Sequence, residues 1–188
     1  MRPKPASVLV DYENPLLPQL TDPVTGLWNT DYTNLKLAEE FKKARRFSVP
    51  LACLVLSIDE APGDVHANDP SNRQVLSELA GLLLCESRDI DHLARLDAKS
   101  FLLILPHTDA PGAFAMMNRV LSSIEKRQLT PPGRTRPISA SAGIACFSKD
   151  LTGPDELVKG AHEALARAVA LGGNRVEIRR RDAEKAAR

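Results

Sequence analysis

The sequence has few aromatic residues and no marked excess of charge of either sign. Phe, Trp and Tyr make up 4% of its 188 residues, and the formal net charge is +1. A core must therefore be built from Leu, Val, Ile and Ala, and the hydrophobic content of 43% is sufficient for one. The balanced charge gives no reason to expect nucleic acid as a partner, because surfaces that bind nucleic acid are strongly basic.

Cysteine is also scarce, and long apolar runs are absent from the sequence. Cys53, Cys85 and Cys146 form no Cys-x-x-Cys pair and lie in apolar stretches, so we expect reduced core residues rather than metal ligands. No stretch approaches the roughly 18 apolar residues that span a membrane. The N-terminus carries several prolines and no recognisable signal peptide. These absences predict a cytoplasmic protein with no membrane segment.

The chain divides into three predicted segments. They are a Pro-rich N-terminal arm or linker (1–20), one domain (21–178) and a charged C-terminal tail (179–188). Within the domain, helices are predicted over about residues 30–46, 72–86, 110–126 and 154–171. Strands are predicted over 51–58, 92–96, 101–105, 138–147 and 175–178. This order predicts the α/β (α+β) class, with a mixed, mostly antiparallel sheet flanked by helices.

Apolar spacing predicts which faces of these elements are buried. The buried stripe of the first long helix is predicted to be Leu35, Leu37, Ala38 and Phe41. The segment 51–58 is almost wholly apolar, as expected of a central strand that is covered on both faces. The small residues of segment 138–147 predict that a neighbouring element approaches this strand closely.

Seven short segments resemble the GGDEF domain of bacterial diguanylate cyclases over residues 21–178. They are Asp22–Asn29, Ala44–Phe47, Leu54–Asp59, Ala94–Leu96, Phe101–Pro106, Ser141–Ala145 and Gly172–Val176. Their shared order and spacing make the resemblance specific, and it implies a single domain of the nucleotide-cyclase or polymerase-palm type. It also implies the family's reaction, which joins two GTP molecules into cyclic di-GMP. Such phosphoryl transfer uses acidic residues to hold divalent metal and cations to hold triphosphate.

The signature turn departs from the family's pattern. The resemblance implies Gly-Gly-Asp/Glu-Glu-Phe, whereas residues 97–101 read Asp-Ala-Lys-Ser-Phe. Ser57 and Lys99 stand at the positions of the two metal carboxylates, and only the nearby acid Asp59 is retained. The positions of the phosphate-binding cations carry Val169 and Gly173. We therefore predict that the chain is not an enzyme but a degenerate cyclase domain, with no catalytic residues and no metal.

An Arg-x-x-Asp motif, Arg88 to Asp91, ends five residues before this turn. The resemblance implies a regulatory product site there, completed by an Arg eighteen residues after the signature Phe, which is Arg119. Guanidinium groups pair with phosphate or with the guanine edge, and a carboxylate accepts hydrogen bonds from guanine. We predict that Arg88, Asp91 and Arg119 bind cyclic di-GMP as the ligand, with no other cofactor. The domain then acts as a receptor that signals to a protein partner, with the ligand bridging a homodimer.

Other interpretations of the same residues stay open. Arg88 and Asp91 are three residues apart, a spacing that also suits a simple surface ion pair. Asp59, Glu60 and Asp64 are the candidates for a metal site with a different chemistry. The alternatives for the whole domain are a nucleotide-independent protein-interaction scaffold and a GTP-binding regulatory domain.

Overall fold

The computed structural model describes residues 17–59, 72–130, 136–179 and 182. In this part of the chain the helices are α1 (Leu17–Leu20), α2 (Thr30–Phe47), α3 (Asn72–Glu86), α4 (Ala110–Arg127) and α5 (Pro154–Ala170). The strands are β1 (Leu51–Ile58), β2 (His92–Arg95), β3 (Ser100–Pro106), β4 (Ala140–Cys146) and β5 (Val176–Ile178). The predicted order of elements is confirmed, and α1 is a short addition within the predicted arm. None of the described helices is both long and apolar enough to cross a membrane.

The described strands form one sheet in the order β2-β3-β1-β4-β5. Strand β1 lies at its centre and pairs antiparallel with both β3 and β4, so that Cys53 faces Ile104 on one side and Ala145 on the other. Strand β2 pairs antiparallel with β3, and only the β4–β5 pair is parallel. The predicted mixed, mostly antiparallel sheet is confirmed.

Helices cover both faces of this sheet. On one face α3 and α4 pack against alternate strand residues that include Leu54 and Leu103. On the other face α2 and α5 pack against the intervening residues, which include Val55 and Ile104. Because side chains alternate along a strand, the continuous apolar sequence of β1 supplies both cores.

Side-chain caps fix the starts of two long helices. The Asn29 side chain accepts a hydrogen bond from the Tyr32 N–H at 3.0 Å where α2 begins. The Asp109 carboxylate accepts from the Gly112 N–H at 2.9 Å where α4 begins. Each cap satisfies one N–H that lacks a partner within the first turn of its helix, which contributes about 1 kcal/mol.

The close approach predicted for the small-residue strand is confirmed at Gly143. A Cβ atom at this position in β4 would lie 2.0 Å from the Ala161 carbonyl oxygen and 2.2 Å from the Leu165 nitrogen. Helix α5 therefore lies with its backbone directly on β4. Only glycine leaves room for this packing.

Two of the predicted buried residues are in fact exposed. Leu35 is 71% exposed on α2, whereas Leu37 and Phe41 are buried as predicted. Cys85 is exposed near the end of α3, Cys146 is half-buried, and Cys53 is fully buried. Leu35 precedes buried Leu37 by two residues, and Cys85 follows buried Leu83 by two residues. Two residues correspond to a rotation of about 200° around a helix, so each of these side chains lies on the opposite face from its buried neighbour. Burial raises the pKa of the Cys53 thiol to about 12.

Candidate functional site

Strand β2 separates the two turns that carry the residues of interest. The turn Arg88–Asp91 precedes β2, and the turn Asp97–Lys99 joins β2 to β3. The two turns therefore lie at opposite ends of the same strand. The predicted ligand-binding residues and the altered signature turn form two separate sites.

The altered turn is closed by the side chain of its first residue. Asp97 Oδ1 accepts hydrogen bonds from the N–H groups of Lys99 and Ser100, each at 2.9 Å. The Leu96 N–H also donates to the Ser100 carbonyl oxygen at 2.9 Å. No residue from 97 to 99 has a positive φ. The carboxylate of Asp97 thus stabilises a turn that glycine would otherwise form by its backbone freedom.

Two serines face each other beside this turn. Ser57 at the end of β1 pairs in register with Ser100 at the start of β3. Both are buried, and the Ser100 hydroxyl donates to Ser57 Oγ at 3.2 Å. At the position where the resemblance implies a metal carboxylate, the side chain is thus a neutral hydroxyl that is hydrogen bonded to another hydroxyl.

Asp59 links three segments at this edge of the sheet. Its carboxylate accepts hydrogen bonds from Ser139 Oγ at 2.7 Å, Ser141 Oγ at 2.6 Å and the Asn174 N–H at 2.9 Å. A Cβ atom at Gly173 would lie 3.1 Å from this carboxylate, and Gly173 has a φ of +70°. Asp59 therefore joins the end of β1 to the start of β4, to the residue before β4 and to the loop after α5.

The residues beside the altered turn do not fit the divalent metal ion that the resemblance implies at this position. Ser57 is neutral, Lys99 is cationic, and three donors already occupy the Asp59 oxygens. Among the described residues, no group of three or more His, Cys, Asp or Glu side chains is arranged to hold a metal. Glu60 and Asp64, the other candidates, lie outside the described residues.

The Arg-x-x-Asp motif forms a turn between α3 and β2. The Arg88 N–H donates to Asp91 Oδ2 at 2.7 Å, and the Asp91 N–H donates to the Arg88 carbonyl oxygen at 3.1 Å. The link from Asp91 therefore runs to the backbone of Arg88. The two side chains form no ion pair within contact distance, so the interpretation of these residues as a surface ion pair has only the attraction of the Arg88 charge in its favour. Arg88 itself is exposed.

Asp91 is the half-buried member of the predicted ligand set. Its Oδ1 atom is buried and has no hydrogen-bond partner among the residues that the structure describes. Burial raises the pKa of this carboxyl, against the lowering effect of the Arg88 N–H and of the Arg88 charge. A buried oxygen that has lost its hydrogen bonds to water and gained no other donor lowers the stability of the fold. An N–H group of a ligand would restore a hydrogen bond to this oxygen.

Arg119 is held in the same region by Glu86, a residue that no sequence pattern indicates. Arg119 Nε donates to Glu86 Oε2 at 2.8 Å, across the contact between α4 and α3. Glu86 is the last residue of α3 and precedes Arg88 by two positions. The structure therefore brings Arg119 to the segment that carries Arg88 and Asp91. No spacing rule connects positions 86 and 119, which is why the pattern gave no signal for Glu86.

A cavity lies elsewhere on the described part of the molecule. It has a volume of about 810 Å³ and is lined by the start of β1, the end of β4 and the first turn of α4. None of Arg88, Asp91 and Arg119 lines it. The cavity therefore belongs neither to the predicted ligand site nor to the altered turn.

Known proteins share this sequence pattern. A family model described as "Diguanylate cyclase, GGDEF domain" matches residues 19–175. Diguanylate cyclase DgcP of Pseudomonas aeruginosa is 30% identical over 163 residues, which cover 85% of this chain and 24% of that protein. Response regulator PleD of Caulobacter vibrioides is 29% identical over 84% of this chain and 35% of its own length. The chain thus spans about a quarter to a third of the length of these relatives.

Solved structures share the fold. The GGDEF domain of DgcB from Caulobacter crescentus, solved in complex with c-di-GMP, superposes with a TM-score of 0.77 at 21% identity, over 86% of this chain and 94% of that chain. Diguanylate cyclase SiaD of Pseudomonas aeruginosa, solved with its activator SiaC, gives 0.75 at 26% identity, over 85% of this chain and 61% of that chain. The predicted fold class, a single domain of this type, is confirmed.

One prediction from the sequence is corrected by these relatives. The chain was predicted not to be an enzyme, but the matching family model describes a diguanylate cyclase domain and several of the matching proteins are named diguanylate cyclases. The prediction relied on the combined change at several positions, among them Ser57, Lys99, Val169 and Gly173. A phosphoryl-transfer site draws groups from several segments, and one of them here, residues 60–71, lies outside the described residues. Substitutions at individual positions therefore do not decide catalytic competence.

Proposed function

Because the chain belongs to the family of diguanylate cyclase GGDEF domains, we propose that it binds cyclic di-GMP through Arg88, Asp91 and Arg119 and acts as a receptor for it. The observation that supports the proposal is the Arg119–Glu86 contact at 2.8 Å, since Glu86 precedes Arg88 by two positions. The solved DgcB domain in complex with c-di-GMP supports the choice of ligand.

The two arginines supply complementary charge for a ligand with two phosphates. Arg88 is exposed, and the Arg119 side chain is 57% exposed. Both guanidinium groups therefore reach solvent, where they can pair with phosphate oxygens or with the O6 and N7 atoms of guanine. A lysine at either position would give charge without the planar pair of donors.

Asp91 supplies the acceptor for guanine. Guanine carries adjacent N1–H and N2–H donors, and the unpartnered Oδ1 atom of Asp91 lacks a donor. A hydrogen bond from the base would satisfy this buried oxygen. Burial raises the pKa of Asp91, and N–H donors from the ligand would lower it again because they stabilise the charged carboxylate. Ligand binding and ionisation of Asp91 therefore favour each other.

Calorimetric titration of the full chain with cyclic di-GMP tests the proposal. We expect micromolar or tighter binding by the natural sequence, a loss of binding in Arg88→Ala, and binding in Arg119→Ala that is about tenfold weaker but still measurable. The matched control is Arg127→Ala, an exposed arginine on the same helix as Arg119, which we expect to bind like the natural sequence. The absence of heat with the natural sequence would overturn the proposal.

The receptor role also includes a protein partner and a ligand-bridged homodimer. SiaD, which resembles this chain in fold, was solved in complex with a protein activator. Light scattering during the same titration measures the mass, and we expect it to double in the natural sequence but not in Arg88→Ala. A constant mass at saturating ligand would contradict the bridged dimer. The proposed cytoplasmic location follows from the ligand, which we expect the chain to meet inside the cell.

A second candidate function is synthesis of cyclic di-GMP from GTP, and the names of the relatives favour it. Chromatography of the full chain incubated with GTP and Mg²⁺ or Mn²⁺ tests for the product. Product from the natural sequence would support the candidate, and no product from the natural sequence would overturn it.

A further inference from the structure

Glu86 contacts Arg119 through a single guanidinium nitrogen. The 2.8 Å hydrogen bond runs from Arg119 Nε to Glu86 Oε2, and the Glu86 side chain is 26% exposed against 57% for Arg119. Glu86 is thus the anchored partner and Arg119 the one that reaches into solvent. We infer that Glu86 is a positioning residue for the ligand site, holding Arg119 so that its two terminal nitrogens are presented to cyclic di-GMP. The inference rests on the proposed function.

The place of Glu86 in the fold gives it this role. It ends α3 and is separated from Arg88 by one residue, so its carboxylate and the motif turn share one short segment. The helices α3 and α4 pack through a shared core that includes Leu79, Leu83 and Val120. Both ends of the Glu86–Arg119 contact therefore stand on rigid elements, and the contact sets the position of Arg119 relative to Arg88.

The geometry of the guanidinium group explains why the contact at Nε matters. Arginine binds phosphate or guanine in bidentate fashion through a pair of nitrogens along one edge. Occupation of Nε by Glu86 leaves the edge formed by the two Nη nitrogens for the ligand. A long, exposed side chain loses rotamer freedom when it binds, and a partner that already holds it reduces that loss.

The opposite role for Glu86 would be competition with the ligand. A carboxylate that paired with the two Nη nitrogens would occupy the edge that a phosphate uses and would repel the anion. The Glu86 bond is made to Nε instead. The two roles predict opposite effects of removing the side chain, because a positioning residue strengthens binding and a competitor weakens it.

Titration of a double-mutant cycle with cyclic di-GMP distinguishes these roles. In the natural background we expect Glu86→Ala to bind about fivefold more weakly, the effect of one partly exposed ion pair. Glu86→Gln keeps an oxygen that accepts from Nε, and we expect its affinity to stay near that of the natural sequence. In the Arg119→Ala background we expect Glu86→Ala to cause no further weakening, because Glu86 acts through Arg119.

The control is Glu125→Ala, which removes an exposed carboxylate from the same helix six residues after Arg119 and should leave the affinity unchanged. If Glu86→Ala does not fold, Glu86→Asp replaces it in the test. Its side chain is shorter by one methylene, and we expect it to bind cyclic di-GMP more weakly than the natural sequence. Tighter binding by Glu86→Ala, or unchanged affinity in both shortened variants, overturns the positioning role while the receptor function stands. Absence of binding by the natural sequence overturns the receptor function itself.

Discussion

The Asp91 carboxylate holds the backbone of Arg88. The Arg88 N–H donates to Asp91 Oδ2 at 2.7 Å, and the Arg88 carbonyl oxygen accepts from the Asp91 N–H at 3.1 Å. The spacing of three residues between them is therefore the spacing of a closed turn. This turn directs the chain from α3 into β2 while the Arg88 side chain stays exposed to solvent.

The raised pKa of Asp91 makes its contribution to stability fall with increasing pH. Burial raises this pKa above the ordinary value of 3.8, although the Arg88 N–H and charge oppose the change. A carboxyl with a raised folded pKa contributes stability below its unfolded pKa and loses it as the pH rises through the folded value. Asparagine does not titrate. We therefore expect the free energy of unfolding of Asp91→Asn, minus that of the natural sequence, to increase as the pH rises above 3.8.

Denaturant unfolding at several pH values between about 3 and 7 measures this difference. The control is Glu163→Gln, at an exposed position on α5. A difference between Asp91→Asn and the natural sequence that is constant with pH, or that falls as pH rises, would show that burial of Asp91 carries no such cost.

Asp22 is predicted to have the opposite pH dependence. Burial alone would raise its pKa, but hydrogen bonds from Thr25 and the charge of Arg95, 3.2 Å away, outweigh burial and lower it. A lowered folded pKa gives stability that is present above 3.8 and lost as the pH falls. We expect Asp22→Asn to cost about 1 kcal/mol at neutral pH and less in acid, since the protonated natural residue also loses the Arg95 contact. Equal costs at both pH values, measured by denaturant unfolding, would contradict this.

The order of elements could be predicted because each element has a local signal. Residues 51–58 are continuously apolar, and Asn29 and Asp109 precede helices that they cap. The faces of helices were less predictable. A leucine at position 35 looks like a core residue, yet it stands two positions from buried Leu37 and so points the other way.

The sequence predicted those residues of the candidate site that belong to a spacing pattern, but not the residues that contact them. The Arg-x-x-Asp spacing gave Arg88 and Asp91, and counting from Phe101 gave Arg119. Glu86 could not be predicted, because its contact with Arg119 joins residues 33 positions apart and depends on how α3 lies against α4. Nor did the sequence indicate that Asp97 would close the altered turn by accepting two backbone hydrogen bonds.

Asp59 is predicted to be important for stability. Replacement by Ala removes an acceptor from Ser139, Ser141 and the Asn174 N–H together. We expect Asp59→Ala to lower the free energy of unfolding by about 2–4 kcal/mol, because hydrogen bonds to a charged group are strong and the three donors lose one partner. The comparison variant Asp97→Ala removes two hydrogen bonds in an exposed turn and should cost about 1 kcal/mol. Chemical denaturation ranks the two, and an equal or smaller loss in Asp59→Ala would contradict the prediction.

Gly143 and Gly81 provide a matched pair of glycine substitutions with opposite expected results. A Cβ atom at Gly143 would lie 2.0 Å from the Ala161 carbonyl oxygen, within the backbone of α5, whereas a Cβ atom at exposed Gly81 meets nothing within 4 Å. Backbone atoms of a packed helix cannot move aside cheaply, so we expect Gly143→Ala to lose at least about 3 kcal/mol or to fail to fold. Gly81→Ala, inside α3, should gain about 0.5–1 kcal/mol, because alanine favours the helix over the unfolded chain. Thermal unfolding of the two variants measures both effects. A Gly143→Ala protein as stable as the natural sequence would show that α5 can move away from β4, and the close contact would then not be a requirement of the fold.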